Sequence, residues 1–553
     1  MFVSRPTLCR PMEVGEMEMA HFRGGIAALT AIVFVIGMAG TMAGQTDRPS
    51  LPEEVTGPVG DTSTSHAFLA SAYQKQPIDL GRYGYVEEEF LVSGQARVFD
   101  WPAKDDLKVL AKGPYTTRIL VRRPKDRQKF NGTAIVEPLN PTTPVDLPIM
   151  WTESHEQFMA DGYVWVGITI KPNTIKSLKA FDRQRYAALS MPRPLSEPSC
   201  SESDISLWAQ PTTPADETGL AWDMLSQIGV LLKSRSRENP LPWPAARLYM
   251  TGQSQTAGYS RTYASVFGRR EAGPDGKPLY DGYLHSGSQD FLIPLHQCAK
   301  SFPRDDPRAI TAAAGVPVIE MFAEGDMGGN VITRRPDSDT APDLFRRFEN
   351  AGAEHDDPYS EPSYASTDDL VRATGMANPY GDLSACEPIG VLSDFPVHYI
   401  FDAAWRMLDN WVRNGVAPPH AAPLELKPGV HGTPLKAPYD EHGAPVATTG
   451  DSPFVPDQAF VLDEYGNAKG GVRTPYVDVP TARYVGAKRG SIGCFLDGAK
   501  YPFSKAKLKS IYGDHAGYVA KVRASASALE AQHWLTPADS AAIVKEAEQA
   551  QIP

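Results

Sequence analysis

The sequence is short of cysteine, of positive charge and of long apolar runs. Five cysteines in 553 residues are too few and too widely spaced for a disulfide-stapled miniature fold or a zinc-ligand pattern. Lys and Arg number 54 against 66 Asp and Glu, a formal net charge of −12. An acidic surface of this kind disfavours nucleic acid and anionic membranes as partners. No internal repeat is evident. With 22% charged and 42% hydrophobic residues, the chain has an ordinary globular profile with no disorder bias. Pro (49) and Gly (46) are plentiful and indicate many loops around a core.

The one notable apolar run lies near the start. Arg23 precedes Ile26–Gly37, and the small residues Ala39, Gly40, Thr41 and Ala43 follow. A positive flank, a short apolar core and a small-residue end read as a secretory signal over 1–43, cleaved near Ala43 or Gly44. The run is short for a membrane span of roughly 20 residues, so an uncleaved anchor is the weaker alternative. The protein is therefore expected to be exported, periplasmic or secreted, with no stable membrane span once the leader is removed. Cys9 leaves with the leader. Cys200, Cys298, Cys386 and Cys494 remain, an even number in an export context, so one or two disulfides are expected, with the pairing open.

Beyond the leader, residues 44–79 are polar and turn-rich and read as a linker or irregular arm. Strand-like segments then alternate with helical ones. Thr117–Val121, Thr133–Val136, Tyr163–Ile170, Ala246–Met250, Tyr283–Leu284, Val316–Phe322 and Phe345–Asn350 read as strands. Trp151–Ala160, Gly219–Lys233, Val397–Arg413 and a segment after Pro537 read as helices. This alternation predicts an α/β fold with a mostly parallel central sheet and helices on both faces. The core is assigned to 80–420, interrupted by a Pro- and Ser-rich insertion at about 175–215.

The most informative segment is Leu248–Gly258, LYMTGQSQTAG. An apolar strand runs into Gly-x-Ser-x-Thr and then into a probable helix start rich in small residues. A nucleophile elbow needs this pattern, because a serine on a sharp strand-to-helix turn tolerates only small neighbours two residues away. Ser254 is the expected nucleophile, with Thr256 a departure from the usual Gly. A serine hydroxyl needs a base, and in this arrangement the order is Ser, acid, His. The strand Val316–Phe322 leads to Ala323-Glu324-Gly325-Asp326, and Asn350-Ala351-Gly352-Ala353-Glu354-His355 comes about thirty residues later. His355 is the expected base and Asp326 the expected acid, with Glu324 as the alternate. His285 and His398, on a strand and at a helix start, are assigned to packing or capping. The oxyanion hole needs two N–H donors. Gln255 supplies one. The loop after Thr133–Glu137 supplies the other, where Pro141 has no N–H, so Asn140 or Thr142 must serve, and Asn140 is chosen. The Asn131-Gly132-Thr133 sequon reads as a turn. Gly325–Asp343 lacks the ligand spacing of a calcium loop. No metal and no cofactor are expected.

These stretches resemble the bacterial and fungal family called alpha/beta hydrolase domain-containing protein. The similarity runs through NGTAIVEPLNP (131–141), YVWVGITIKP (163–172), AWDMLSQ (221–227), TGQSQTAGYSRTY (251–263), YDGYLHSGS (280–288), RRPDSD (334–339), NAGAEHDD (350–357), LDNWVRNGVAPP (408–419) and GNAKGGVRTPYVDVPTARY (466–484). The resemblance implies an α/β-hydrolase core, Ser254 as nucleophile, the acidic pair Glu324 and Asp326, and His355. It also implies that the extension 421–553 packs on the same unit. Where the family often has Trp, this chain has Pro138. The expected activity is hydrolysis of a small-molecule carboxylic ester through an acyl-serine intermediate. Amide or lactone hydrolysis and acyl transfer are the enzymatic alternatives. A catalytically inactive hydrolase-fold binding protein is the alternative of another class.

Overall fold

The computed structural model describes residues 48–197, 200, 213–288, 292–300, 306–357, 359, 364–378, 391–428, 459–487 and 496–552. The expected leader and two of the four remaining cysteines, Cys386 and Cys494, lie outside the described residues.

Ten strands form one sheet. In chain order they are β1 (Glu54–Thr56), β2 (Tyr85–Ala103), β3 (Asp106–Pro124), β4 (Thr133–Pro138), β5 (Val164–Ile168), β6 (Arg247–Gln253), β7 (Gly282–Ser286), β8 (Pro317–Ala323), β9 (Ser338–Thr340) and β10 (Asp343–Asn350). Their order across the sheet is β1-β2-β3-β5-β4-β6-β7-β8-β10-β9. Every pairing from β5 through β4, β6, β7 and β8 to β10 is parallel. The flanking pairs β1–β2, β2–β3, β3–β5 and β10–β9 are antiparallel. Strands covered on both faces read as continuous apolar runs, and β4, β5, β7 and β8 are buried at every position. That is why these segments stand out in the sequence. The chain reverses its stacking direction at β4, so the carboxyl ends of β4 and β6 face one crevice, the usual place for a site in such sheets.

Helices cover both faces. Those around the sheet are α1 (Ile149–Ala160), α2 (Pro172–Phe181), α3 (Leu220–Lys233) and α4 (Gln255–Val266). Further on come the single turn α5 (Met327–Asn330), α6 (Thr367–Thr374) and α7 (His398–Asn414). Helix α7 meets α1 through Trp405 edge-on to Phe158, centroids 5.0 Å apart. Helix α3 meets α4 through Trp222 stacked on Tyr259 at 4.8 Å. Each such ring pair adds about 0.5–1.5 kcal/mol beyond the area it buries. Gly415, at φ 70°, closes α7 in the left-handed conformation.

Buried Glu137 at the end of β4 organises the next loop. Its carboxylate accepts the N–H groups of Met150 and Trp151 and the indole N–H of Trp165, at 2.8, 3.0 and 2.7 Å. The acid thus caps the positive end of α1. The guanidinium of Arg122 lies between Trp151 and Trp165, at 4.5 and 4.8 Å from their centroids. Residues 139–148 are pinned at both ends by this arrangement.

The segment expected to be a linker, 44–79, is built into the fold from residue 48 onward. It supplies β1, and Phe68 and Leu69 are fully buried. The expected insertion also begins with ordered structure, since Pro172 opens α2 at its first turn. Cys200, within that insertion, is bonded to Cys298. The C-terminal extension carries α8 (Pro475–Asp478), the antiparallel pair β11 (Ala482–Val485) and β12 (Ala499–Pro502), then α9 (Lys505–Tyr512), α10 (His515–Ala531) and α11 (Pro537–Gln549). It is stitched to the sheet edge. Val472 N–H donates to the Glu349 carbonyl at 2.7 Å, and Trp534 packs edge-on to Phe348 at 4.9 Å. Residues 47–553 form one compact unit. Among the described residues, no helix is long and apolar enough to cross a membrane.

Candidate active site

Ser254 sits between β6 and α4 with φ 56° and ψ −123°. A serine held at positive φ costs on the order of 1–3 kcal/mol, and such strain persists only where the surroundings enforce it. Here they do. Ser254 N–H donates to the Ser286 carbonyl at 3.0 Å, and the Ser254 carbonyl accepts the Gly258 N–H at 3.2 Å. A Cβ at Gly252 would collide with the Thr256 carbonyl oxygen, so this position demands glycine. Thr256 fits where Gly is usual because its hydroxyl folds back onto the Gln253 carbonyl at 3.0 Å.

The acid and the imidazole come from the loops after β8 and β10. His355 Nδ1 lies 2.5 Å from Asp326 Oδ1. A carboxylate only accepts, so Nδ1 carries a proton, and in the neutral ring Nε2 is the basic nitrogen. The second Asp326 oxygen accepts the Ala323 N–H at 2.7 Å. Glu324 is engaged elsewhere. Its carboxylate accepts the N–H groups of Gly352 and Gly486, at 2.8 and 3.3 Å. Of the two acids left open by the sequence, Asp326 is the one that meets His355, and Glu324 ties loops together.

His355 is held from three sides. Its N–H donates to the Leu496 carbonyl at 3.0 Å. Its carbonyl accepts Gln253 Nε2 at 2.9 Å, which links the histidine loop to the residue before Ser254. The imidazole also lies against Gly287. Ser254 and His355 thus flank one short stretch, Ser286–Gly287, at the end of β7. Burial pushes the imidazole pKa down, but Asp326, with help from Asp356 and Asp497, outweighs it and raises it to about 9. His285 and His398 are placed as expected. His285 is buried beside Glu320, and His398 N–H donates to Asp357 at the start of α7.

The oxyanion loop requires a correction. Asn140 was expected to lend its backbone N–H, but that N–H donates to the Leu147 carbonyl at 2.8 Å. Leu139 N–H is likewise spent on Ile168, at 2.8 Å, and Thr142 N–H on the Asn140 side chain, at 2.8 Å. The cause is a pairing across the loop, an antiparallel bridge between Asn140 and Leu147. The Asn140 amide instead donates to the Gln253 carbonyl at 2.9 Å, so this residue braces the elbow. Gln255, the first residue of α4, keeps an N–H with no intrahelical acceptor, at the positive end of a helix dipole.

Residues 55–545 match the family described as alpha/beta hydrolase domain. The chain belongs to this family. No curated protein matches it. Among solved structures it is similar to an alpha-beta serine hydrolase homologue from Coxiella burnetii, at 11% identity and a TM-score of 0.23, over 44% of this chain and 84% of that one. It is similar to the esterase domain of a Rhodothermus marinus protein, at 11% identity and a TM-score of 0.24, over 51% and 95%. It is also similar to Est1E from Butyrivibrio proteoclasticus, at 9% identity and a TM-score of 0.23, over 47% and 90%. Likenesses this faint identify no substrate.

Three residues of this alpha/beta hydrolase escaped the sequence reading. Gly287 has φ 64°, and a Cβ there would stand 2.9 Å from His355 Cε1; the Ser-Gly-Ser after a strand was its only signal. Gln253 left no signal, since its role depends on where the histidine loop lands. Asn330 donates to the carbonyls of Ser288 and Asp326, both at 2.8 Å, and fixes the acid's turn to the β7 loop. Among the described residues, no group of three or more His, Cys, Asp or Glu is placed to hold a metal ion.

Proposed function

We propose that the protein is an exported serine hydrolase that cleaves a carboxylic ester through an acyl-Ser254 intermediate. The observation that carries this reading is the strained Ser254 turn, tied through Gln253 to a His355–Asp326 pair at 2.5 Å. In the first half-reaction Ser254 Oγ attacks the ester carbonyl carbon while His355 Nε2 takes its proton. Asp326 holds the imidazole in the right tautomer and stabilises the imidazolium. The tetrahedral oxyanion points to the Gln255 N–H and the start of α4, and a donor of this kind is worth about 2.7–4 kcal/mol. Collapse breaks the carbonyl–alkoxy bond, and the imidazolium returns the proton to the departing alcohol. A water then repeats the sequence and releases the acid and Ser254.

Export is supported by the leader-like run and by the Cys200–Cys298 disulfide, since stable disulfides belong to oxidising compartments. N-terminal sequencing of protein recovered from periplasm or medium tests that part: a start near residue 44 is expected, and a full-length membrane-bound form would refute it. The hydrolase reading is tested by fluorophosphonate labelling with peptide mapping, comparing wild type with Ser254→Ala. Label on Ser254, absent from the variant, is the expected result. Folded wild-type protein that takes no label would refute it.

A further inference from the structure

Lys171, the residue that precedes α2, is fully buried. Its Nζ donates to Gln255 Oε1 at 3.1 Å, and among the described residues no carboxylate faces it. An ammonium has three donors and is strongly hydrated in water. Burying it beside a neutral amide, with no counter-charge, is unfavourable for folding alone. Such a cost is commonly found where a charge serves a site. The neighbourhood fits that pattern. Two residues on, Asn173 Nδ2 donates to the Pro141 carbonyl at 3.0 Å, so the same turn braces the oxyanion loop. The side chain that Lys171 grips belongs to the residue whose backbone N–H faces the oxyanion.

The spent N–H groups of Leu139, Asn140 and Thr142 give this contact its weight. With Pro141 lacking an N–H, the loop after β4 offers no free main-chain donor from 139 to 142. The Gln255 N–H must then carry more of the developing charge, and a nearby fixed cation in a dry surround strengthens it. We propose that Lys171 is a positioning residue of the oxyanion site, which acts through the Gln255 side chain to hold and polarise the Gln255 N–H. This rests on the serine hydrolase reading above. Lys171 need not touch substrate; its charge stabilises the transition state more than the bound ester, so it governs kcat rather than KM.

The protonated form is the working one. Burial alone lowers the Lys171 pKa to about 7, with no described acid or base contributing. Asp326, Asp356 and Asp497 keep His355 up at about 9. Catalysis needs neutral His355 and charged Lys171 together. The rate then rises to about pH 7, stays level to about 9 and falls beyond.

The test uses the full mature protein, p-nitrophenyl acetate turnover and the rate of fluorophosphonate labelling at Ser254. Lys171→Met is expected to lower kcat and the labelling rate ten- to a hundredfold, with KM within twofold and the melting temperature level or higher. Its pH profile should climb to about 9 without falling, because only His355 still titrates. Gln255→Met should show a similar loss, and the double variant should be no worse than either single one. Lys171→Gln, which keeps a donor but no charge, should reproduce the altered pH profile and stands in if the Met variant does not fold. Unchanged kcat in either folded Lys171 variant, a retained alkaline fall, or losses that multiply in the double variant would overturn the proposal. Wild type labelled at Ser254 with unaffected variants rejects Lys171 alone, whereas unlabelled wild type rejects the hydrolase reading and this proposal with it.

Discussion

Replacing Asp326 by Asn tests the site at its most constrained point. Both neighbours of the carboxylate donate: Ala323 N–H to Oδ2 at 2.7 Å and the imidazole Nδ1–H to Oδ1 at 2.5 Å. An amide has one acceptor oxygen. If it faces His355, its NH2 is set against the Ala323 N–H, and a buried unpaired donor costs about 1–3 kcal/mol. If it faces Ala323, the NH2 meets Nδ1, and the imidazole escapes by changing tautomer. Nε2 then carries the proton and no longer accepts from Ser254. The second arrangement leaves every group bonded and is expected to prevail. A tautomer swap of this kind in a Ser-His-Asp site lowers kcat by roughly 10⁴, about 5.5 kcal/mol in barrier. The residual pH dependence should also move downward, since the carboxylate that holds the imidazole up is gone. Initial rates on p-nitrophenyl acetate, normalised by active-site titration, measure the effect, with circular dichroism melts as the control for folding. A folded Asp326→Asn enzyme within tenfold of wild type would refute the reasoning, and a large loss in Glu324→Gln instead would move the acid's role to Glu324.

Three further outcomes are expected. The folded His355 pKa, about 9, stands above the ordinary 6.5, so its stabilisation is full below about 6.5 and lost as pH rises to about 9. The difference in urea stability between wild type and His355→Gln should therefore shrink by about 3 kcal/mol between pH 6 and pH 9.5; a constant difference would refute it. Asn140→Ala strands the Thr142 N–H and leaves the Gln253 carbonyl to the Thr256 hydroxyl alone, and should cost about 1–3 kcal/mol in urea melts and at least tenfold in kcat; unaltered kcat would show that the elbow needs no brace. Cys298→Ser opens a disulfide spanning 98 residues and should cost about 2–5 kcal/mol under non-reducing conditions, with equal melts for both proteins as the contrary result.

Much of the core was legible because buried parallel strands leave unbroken apolar runs, as in Val164–Ile168 and Pro317–Ala323. The elbow was legible for a steric reason: its small residues are required by backbone approaching backbone. The hairpin of β2 and β3 was caught only in part, since the outer half of β3 is largely exposed and the sequence of the pair lacks a strict alternation. Helices α9 and α10 were missed. Only Val522 and Ala526 are buried along the 17 residues of α10, so there is almost no stripe to read. Asn140 misled because its hydrogen bonds depend on Leu147, seven positions away, and no local pattern announces that bridge. The offset from the strand favoured Asp326 over Glu324 without deciding between them; their partners, His355 on one side and Gly352 with Gly486 on the other, exist only once the sheet is assembled.

The tie between His355 and Leu496 bears on how such a chain can evolve. The base is borne by a core loop, yet that loop's N–H groups at His355 and Asp356 both end on the carbonyl of Leu496, more than a hundred residues downstream. The hydrolase core is thus not a portable cassette. A gene fusion or truncation that discards the last quarter of the chain would keep the serine, the acid and the histidine in the reading frame, while removing the strut on which the histidine hangs. Recombination within this family is therefore expected to exchange surface segments far more readily than carboxyl-terminal ones.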